Sequence, residues 1–265
     1  MKLSAKIQKK SVLINYFDYF CMLHIGKMNN IKIILVFFVG FMSNVLFAQE
    51  TVPTINPTAV FKTPEGDETA ESYSGSAPLE AHFYANPENN EGWTAYYEWR
   101  FTGESSPTPY LIRYEQDTDY TFTKAGTTRI VCYATFTKGS NSINYTEEYW
   151  ADMNPITVSI SESRLDMPNA FSPNGDGIND IYKAKEGYKS LVEFKATIYN
   201  RWGQKLYEWT DPAGGWDGKF NGKDVAQGVY FVRVTAKGAD GIKYNFKKDV
   251  NLLRGYTEGD TTKNY

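Results

Sequence analysis

The chain has 265 residues, with 28 Lys and Arg against 31 Asp and Glu and a formal net charge of −3. That balance supplies neither a basic field for nucleic acid nor a polybasic patch for an anionic membrane. Gly, Thr, Asn and Tyr are plentiful and no window sustains a 3.6-residue apolar period, so the composition excludes a helical bundle and points to an all-β protein.

The amino end reads as an export signal. Met28-Asn-Asn-Ile-Lys32 is a short, weakly basic start, Ile33 to Phe47 an apolar run, and Phe47-Ala48-Gln49 a processing point after Ala48. The run is too short for a membrane-spanning helix, so no transmembrane anchor is expected after cleavage. Residues 1–27 precede an otherwise ordinary signal, and Met28 is read as the true start, an unusually long signal with an extended basic leader being the alternative; 1–48 are assigned to leader and signal. Cys21 falls in the leader, which leaves Cys132 as a single thiol and no intramolecular disulfide. His24 falls there too, and the one remaining histidine, His82, cannot build a metal cluster or a Ser-His-Asp triad. No catalytic residue, metal or cofactor is expected.

Residues 56–161 carry the spacing of one β-sandwich. Strands are expected in Gly75 to Tyr84, Tyr96 to Gly103, Tyr120 to Tyr133 and Ile156 to Ile160. Tyr97, Trp99 and Phe101 share one face, which predicts a core tryptophan on a central strand. Cys132 alternates with Ile130 and Ala134 on an inward face and reads as a small buried hydrophobe rather than a nucleophile. Trp93, Tyr96, Tyr149 and Trp150 are candidates for exposed rings that could meet a glycan.

Four turn islands dominate the last third of the chain: Phe171-Ser-Pro-Asn-Gly-Asp-Gly-Ile-Asn-Asp180, Asn200-Arg-Trp-Gly203, Trp216-Asp-Gly-Lys-Phe-Asn-Gly222 and Gly228-Val-Tyr-Phe231. Asn, Asp and Gly tolerate positive φ or bond their own backbone, so these are tight connections between short strands. Val192, Phe194, Ala196 and Ile198 alternate with Glu193, Lys195 and Thr197, and Tyr230, Val232 and Val234 alternate with Arg233 and Thr235, the period of half-buried strands. The loop from Asn174 to Asp180 has the oxygen density of a calcium loop, but Lys183 stands where an EF-hand needs a carboxylate.

The islands, in this order, resemble the gliding-motility-associated C-terminal domain, the type B sorting domain of the type IX secretion system of Bacteroidetes. The resemblance covers residues 164–254 and rests on Asn169, Phe171, Pro173, Asn174, Gly175, Asp176, Gly177, Asn179 and Asp180 in the first motif. Asn200, Arg201, Trp202 and Gly203 follow, then Trp216, Asp217 and Gly218, then Gly228 and Tyr230. Val250-Asn-Leu-Leu-Arg254 matches the closing strand, at or just beyond which the family usually stops, while 255–265 here add a polar tail. The resemblance implies an address rather than an activity: passage through the periplasm, recognition by the type IX machinery, and release to the medium or the outer-membrane cell surface.

The preceding unit resembles a PKD-type immunoglobulin-like domain. Of that family's Trp-x-Phe-Gly-Asp-Gly motif, Trp99-Arg-Phe-Thr-Gly-Glu104 keeps the Trp, the Phe and a displaced Gly, and Gly126 and Cys132 complete the expected core set. An ordinary immunoglobulin-like or fibronectin-like sandwich accounts for the same residues. The sequence thus predicts two immunoglobulin-like β-sandwich domains in tandem after a signal peptide, in a non-enzymatic protein whose first domain binds a protein or glycan or serves as a spacer. A surface subunit assembling through sheet edges is the alternative.

Overall fold

The computed structural model describes residues 51–255; the expected signal segment, Cys21, His24 and the tail beyond Gly255 lie outside them. The chain forms β1 (Thr58–Thr63), β2 (Gly66–Thr69), β3 (Ser72–Gly75), β4 (Leu79–Tyr84), β5 (Thr94–Gly103), β6 (Leu111–Arg113), β7 (Asp117–Phe122), β8 (Gly126–Lys138), β9 (Asn141–Tyr145), a helical turn α1 (Glu147–Trp150) and β10 (Ile156–Ile160). One sheet runs β2-β1-β4-β7, the other β3-β10-β8-β5-β6 with β9 paired to β8. Strands β1, β4 and β7 facing β10, β8 and β5 reproduce the two-sheet order of an immunoglobulin-type sandwich.

The alternation read from the sequence sets the core. Trp99 and Phe101 are fully buried, as are Ile130 and Cys132, and Tyr97 and Ala134 nearly so. Trp99 donates its indole N–H to the Gln116 carbonyl (3.0 Å), so its polar edge is satisfied while its rings fill the centre.

Three expectations are corrected. The run from Tyr120 to Tyr133 is two strands in opposite sheets, β7 and β8, because Gly126 at φ +116° lets the chain cross between layers. Gly126 is exposed, so its part in the sandwich is conformational and not that of a core residue. The all-β reading also gains one helical turn, α1, too short to leave a periodic signal.

Buried Tyr97 hydroxyl has no hydrogen-bond partner among the described residues. Removing an unsatisfied buried polar group relieves its desolvation penalty, so Tyr97→Phe is expected to raise unfolding stability by about 1 kcal/mol in a denaturant melt.

Downstream lie β11 (Ala170–Phe171), β12 (Tyr182–Lys183), β13 (Leu191–Tyr199), β14 (Lys205–Trp209), β15 (Gly215–Trp216), β16 (Lys219–Phe220), β17 (Lys223–Asp224), β18 (Gly228–Gly238) and β19 (Lys243–Leu252). A five-stranded sheet, β11-β19-β18-β13-β14, is accompanied by two small ribbons, β12-β15 and β16-β17. Its own buried cluster holds Phe171, Tyr182, Phe194, Ile198, Trp209, Trp216, Tyr230 and Val232. Tandem β-sandwich units therefore describe the chain, the second having one full sheet opposed by ribbons.

The two cores meet. Ala239, in the β18-β19 hairpin, belongs to the buried cluster of the first sandwich, and its carbonyl accepts the Ala125 N–H at 3.0 Å. Ser190, 1% exposed and held at φ +50°, accepts the Ala77 N–H through its hydroxyl, which also bonds the Ser161 hydroxyl at 2.9 Å. The β13 register shifts between Leu191 and Glu193, and the intervening Val192 packs on the first cluster rather than in line with Phe194 as its alternation predicts.

Candidate recognition site

The islands fold as turns locked by their own side chains. In the first, both oxygens of the Asp180 carboxylate accept backbone N–H groups, from Gly175 (2.7 Å) and Gly177 (2.8 Å), while Asp176 accepts the Ile178 N–H and Asn174 the Asp176 N–H. Gly175 and Gly177 sit at φ +84° and +85°, and Asn179 at φ +52°, conformations that account for the residue types. The Asp180 oxygens that would ligate a cation are thus already engaged in closing the loop.

Those N–H groups, Gly175 first and then Gly177, hold the Asp180 pKa below the ordinary 3.8. A carboxyl whose folded pKa is depressed stabilises the fold above its unfolded pKa and loses that contribution as pH falls through the folded value. Melts between about pH 5 and pH 2 should therefore show a smaller acid-side loss in Asp180→Asn than in the parent.

Asn200 organises the second island. Its side-chain oxygen accepts the N–H groups of Trp202 and Gln204, both at 3.0 Å, and Gly203 takes φ +78°. In the third, Asp217 accepts the Lys219 N–H and Trp216 donates its indole N–H to the Lys219 carbonyl at 2.7 Å. Trp216 is fully buried between Phe171 (5.3 Å) and Tyr230 (5.1 Å), and Tyr230 anchors its hydroxyl on the Ala226 carbonyl. Gly228 opens β18 at φ +151°. Asn169 contributes through its backbone, its carbonyl accepting the Asn251 N–H.

Arg254, quoted in the sequence only as the end of a strand, ties the islands together. Its guanidinium donates to the carbonyls of Pro173 (3.1 Å), Gly218 (2.7 Å) and Val225 (3.2 Å) and lies 3.4 Å from Asp224. Gly218 sits at φ +77°, which disfavours a side chain, and a Cβ there would crowd Pro173 (3.0 Å) and Arg254 (3.2 Å). A basic residue closing an apolar strand was the visible signal; its three acceptors are brought together only by the fold.

Among these signature residues two are not consumed by the fold. Trp202 is 79% exposed, and the Arg201 guanidinium lies 4.8 Å from its ring centre. Elsewhere, the candidate rings of the first sandwich turn mostly inward. Trp93 and Trp150 pack on its core, Trp150 donates its indole N–H to the Cys132 carbonyl at 2.8 Å, and Tyr149 is half-buried; only Tyr96 is exposed. Burial pushes the Cys132 thiol up to about 12, which leaves negligible thiolate at neutral pH.

The unit is thus a small β domain whose turns are fixed by their own side chains and which displays the Trp202 turn outward. Residues 165–248 match the family model described as the CHU_C type IX secretion signal domain. The chain therefore carries a type IX secretion signal, which marks it for secretion or the outer-membrane surface and for interaction with the type IX machinery. Among solved structures, CopC from Methylosinus trichosporium OB3b matches at 16% identity with a TM-score of 0.25, over 36% of this chain and 98% of that one. No curated protein matches.

Proposed function

We propose that this is a non-enzymatic exported protein in which residues 164–254 are read as a folded type B sorting domain and residues 56–161 form a PKD-like binding or spacer module delivered to the outer surface of a Bacteroidetes cell. The observation that carries the reading is the match over residues 165–248, falling on turns whose carboxylates are spent on backbone N–H groups and so serve architecture rather than acid-base chemistry. The test is fractionation of cells that possess the machinery, comparing the full chain with one ending at Leu165. The full chain is expected at the surface and the shortened one in the periplasm; equal surface amounts would sink the sorting role.

A glycan-binding role for the first module is the second reading, favoured by one feature. Tyr96 and Tyr114, 53% and 59% exposed, place their rings 5.9 Å apart beside the Glu98–Arg100 ion pair, a combination of flat apolar faces and polar groups that suits a sugar. Retention on immobilised polysaccharide that is lost in Tyr96→Ala/Tyr114→Ala would support it, and no retention of the parent would exclude it.

A further inference from the structure

The outward face of the five-stranded sheet carries more ion pairs toward one end than toward the other. Toward one end Lys195 pairs with Glu208 at 3.0 Å and Lys237 with Glu193 at 3.8 Å, so that of the opposed cations Lys237 and Lys243 one is neutralised. Toward the Asn200–Gly203 turn the arrangement changes. Arg233 on β18 stands directly opposite Lys247 on β19, both exposed, and neither makes an ion pair among the described residues. Like charges opposed across an antiparallel pair are destabilising, and only the diagonal neighbour Asp249, which makes no ion pair with either, stands near enough to offset part of that cost.

The next row on the same face is aromatic. Tyr199 lies opposite Phe231, and Phe231, 40% exposed, lies opposite Asp249, the one acidic residue of the cluster. Arg201 and the exposed Trp202 follow in the turn, and the groove between turn and strands has a volume of about 500 Å3. Arg201, Arg233 and Lys247 against Asp249 leave a net positive patch on a chain whose formal charge is −3. Unpaired guanidinium and ammonium groups beside exposed apolar rings complement carboxylates presented next to apolar side chains.

We propose that this basic-aromatic platform is the docking surface for an acidic, partly apolar segment of a protein of the export machinery. The proposal rests on the sorting role given above and assigns its contact residues: Arg233 and Lys247 receive carboxylates, while Trp202 and Phe231 supply the apolar contact. Its distinguishing consequence is that stability and export move in opposite directions. Replacing the opposed cations removes a repulsion within the sheet and the attraction to the partner at once.

The test compares the full chain with Arg233→Gln/Lys247→Gln, with Trp202→Ala, and with Lys195→Gln as a control that also removes one positive charge from the same face. The double variant is expected to melt at or above the parental temperature while its surface fraction falls about tenfold and periplasmic protein accumulates, the scale of losing desolvated charge contacts. Trp202→Ala should also lower export with unchanged melting, and Lys195→Gln should leave export at the parental level. In solution, a labelled poly-L-glutamate peptide should bind the purified full chain, with the binding weakened by salt and by the double substitution. Parental surface levels for the double variant, with the chain ending at Leu165 still retained, would overturn the platform and leave the sorting role standing; export of that shortened chain would overturn the sorting role itself. Binding of heparin or of anionic vesicles without binding of polyglutamate would reassign the platform to a glycan or lipid, and self-association lost in the double variant would reassign it to a second copy of this chain.

Discussion

Trp216→Ala should cost the carboxyl-terminal unit about 3–5 kcal/mol, the range for deleting a large buried aromatic side chain, and a chain carrying it should lose the sorting unit's cooperative melt before the sandwich unfolds. Three contributions add at this position. The ring is fully buried and is removed from between Phe171 and Tyr230, whose centroids lie 5.3 and 5.1 Å away. The Lys219 carbonyl loses the donor that closes the Trp-Asp-Gly turn. The ribbon partner, Tyr182 opposite Trp216 on β12, is also fully buried, with its hydroxyl bonded to the Pro168 carbonyl, so a cavity here undermines the link between ribbon and first motif. Differential scanning calorimetry of the full chain measures the outcome. Trp202→Ala, at the other signature tryptophan, should leave the same transition in place, because that ring is 79% exposed.

That contrast marks how far the sequence reveals the structure. Alternation places Trp99, Phe101, Ile130 and Cys132 in the first core because each lies on a strand with one face buried, where a period of two is a direct record of the environment. The turns are legible for a related reason: positive φ and local side-chain bonds select Gly, Asn and Asp within a few residues, so Asn174 to Asp180 and Asn200 to Gly203 announce themselves. Strand β2, exposed at all four positions, has no second environment to alternate with and leaves no pattern. Trp93 and Trp150 are misread as exposed because the burial of a ring at a strand end or on a helical turn depends on what arrives from elsewhere, and Trp150 meets a carbonyl on β8. Arg254 follows the same logic, since its three acceptors lie 29 to 81 residues away.

The junction between the units was the least legible feature, because small, chemically quiet residues build it, and it yields the second large expected effect. A chain ending at Leu165 should not only lose its sorting signal but should also melt lower in its sandwich, by about 2–3 kcal/mol, since the Ala125 and Ala77 N–H groups lose their acceptors on Ala239 and Ser190 and the Ala239 side chain leaves the core. The shortened chain therefore confounds export with stability, and a substitution at the junction separates them. Gly238 is fixed there by its surroundings: a Cβ would stand 2.1 Å from the Ser163 hydroxyl. That hydroxyl cannot simply turn away, because it donates to the Asp240 carboxylate and contacts the Tyr244 hydroxyl, both at 2.9 Å, while the Ser163 N–H also bonds Asp240. Gly238→Ala should consequently prise the hairpin from the linker, lowering stability by about 1–3 kcal/mol through overpacking while leaving every signature turn intact. If its melting temperature falls and its surface fraction stays parental, the loss of export on truncation belongs to the signal; if both fall together, docking of the two units is itself needed for passage. Acid weakens the same contact. Burial pushes the Asp240 carboxyl up, but the Ser163 N–H, the Ile242 N–H and the Ser163 hydroxyl outweigh it and leave the pKa below 3.8. With the folded pKa depressed, the junction keeps its contribution above the unfolded carboxylate value and loses it as pH drops through the folded one, so the stability difference between the parent and Asp240→Asn should narrow below about pH 3.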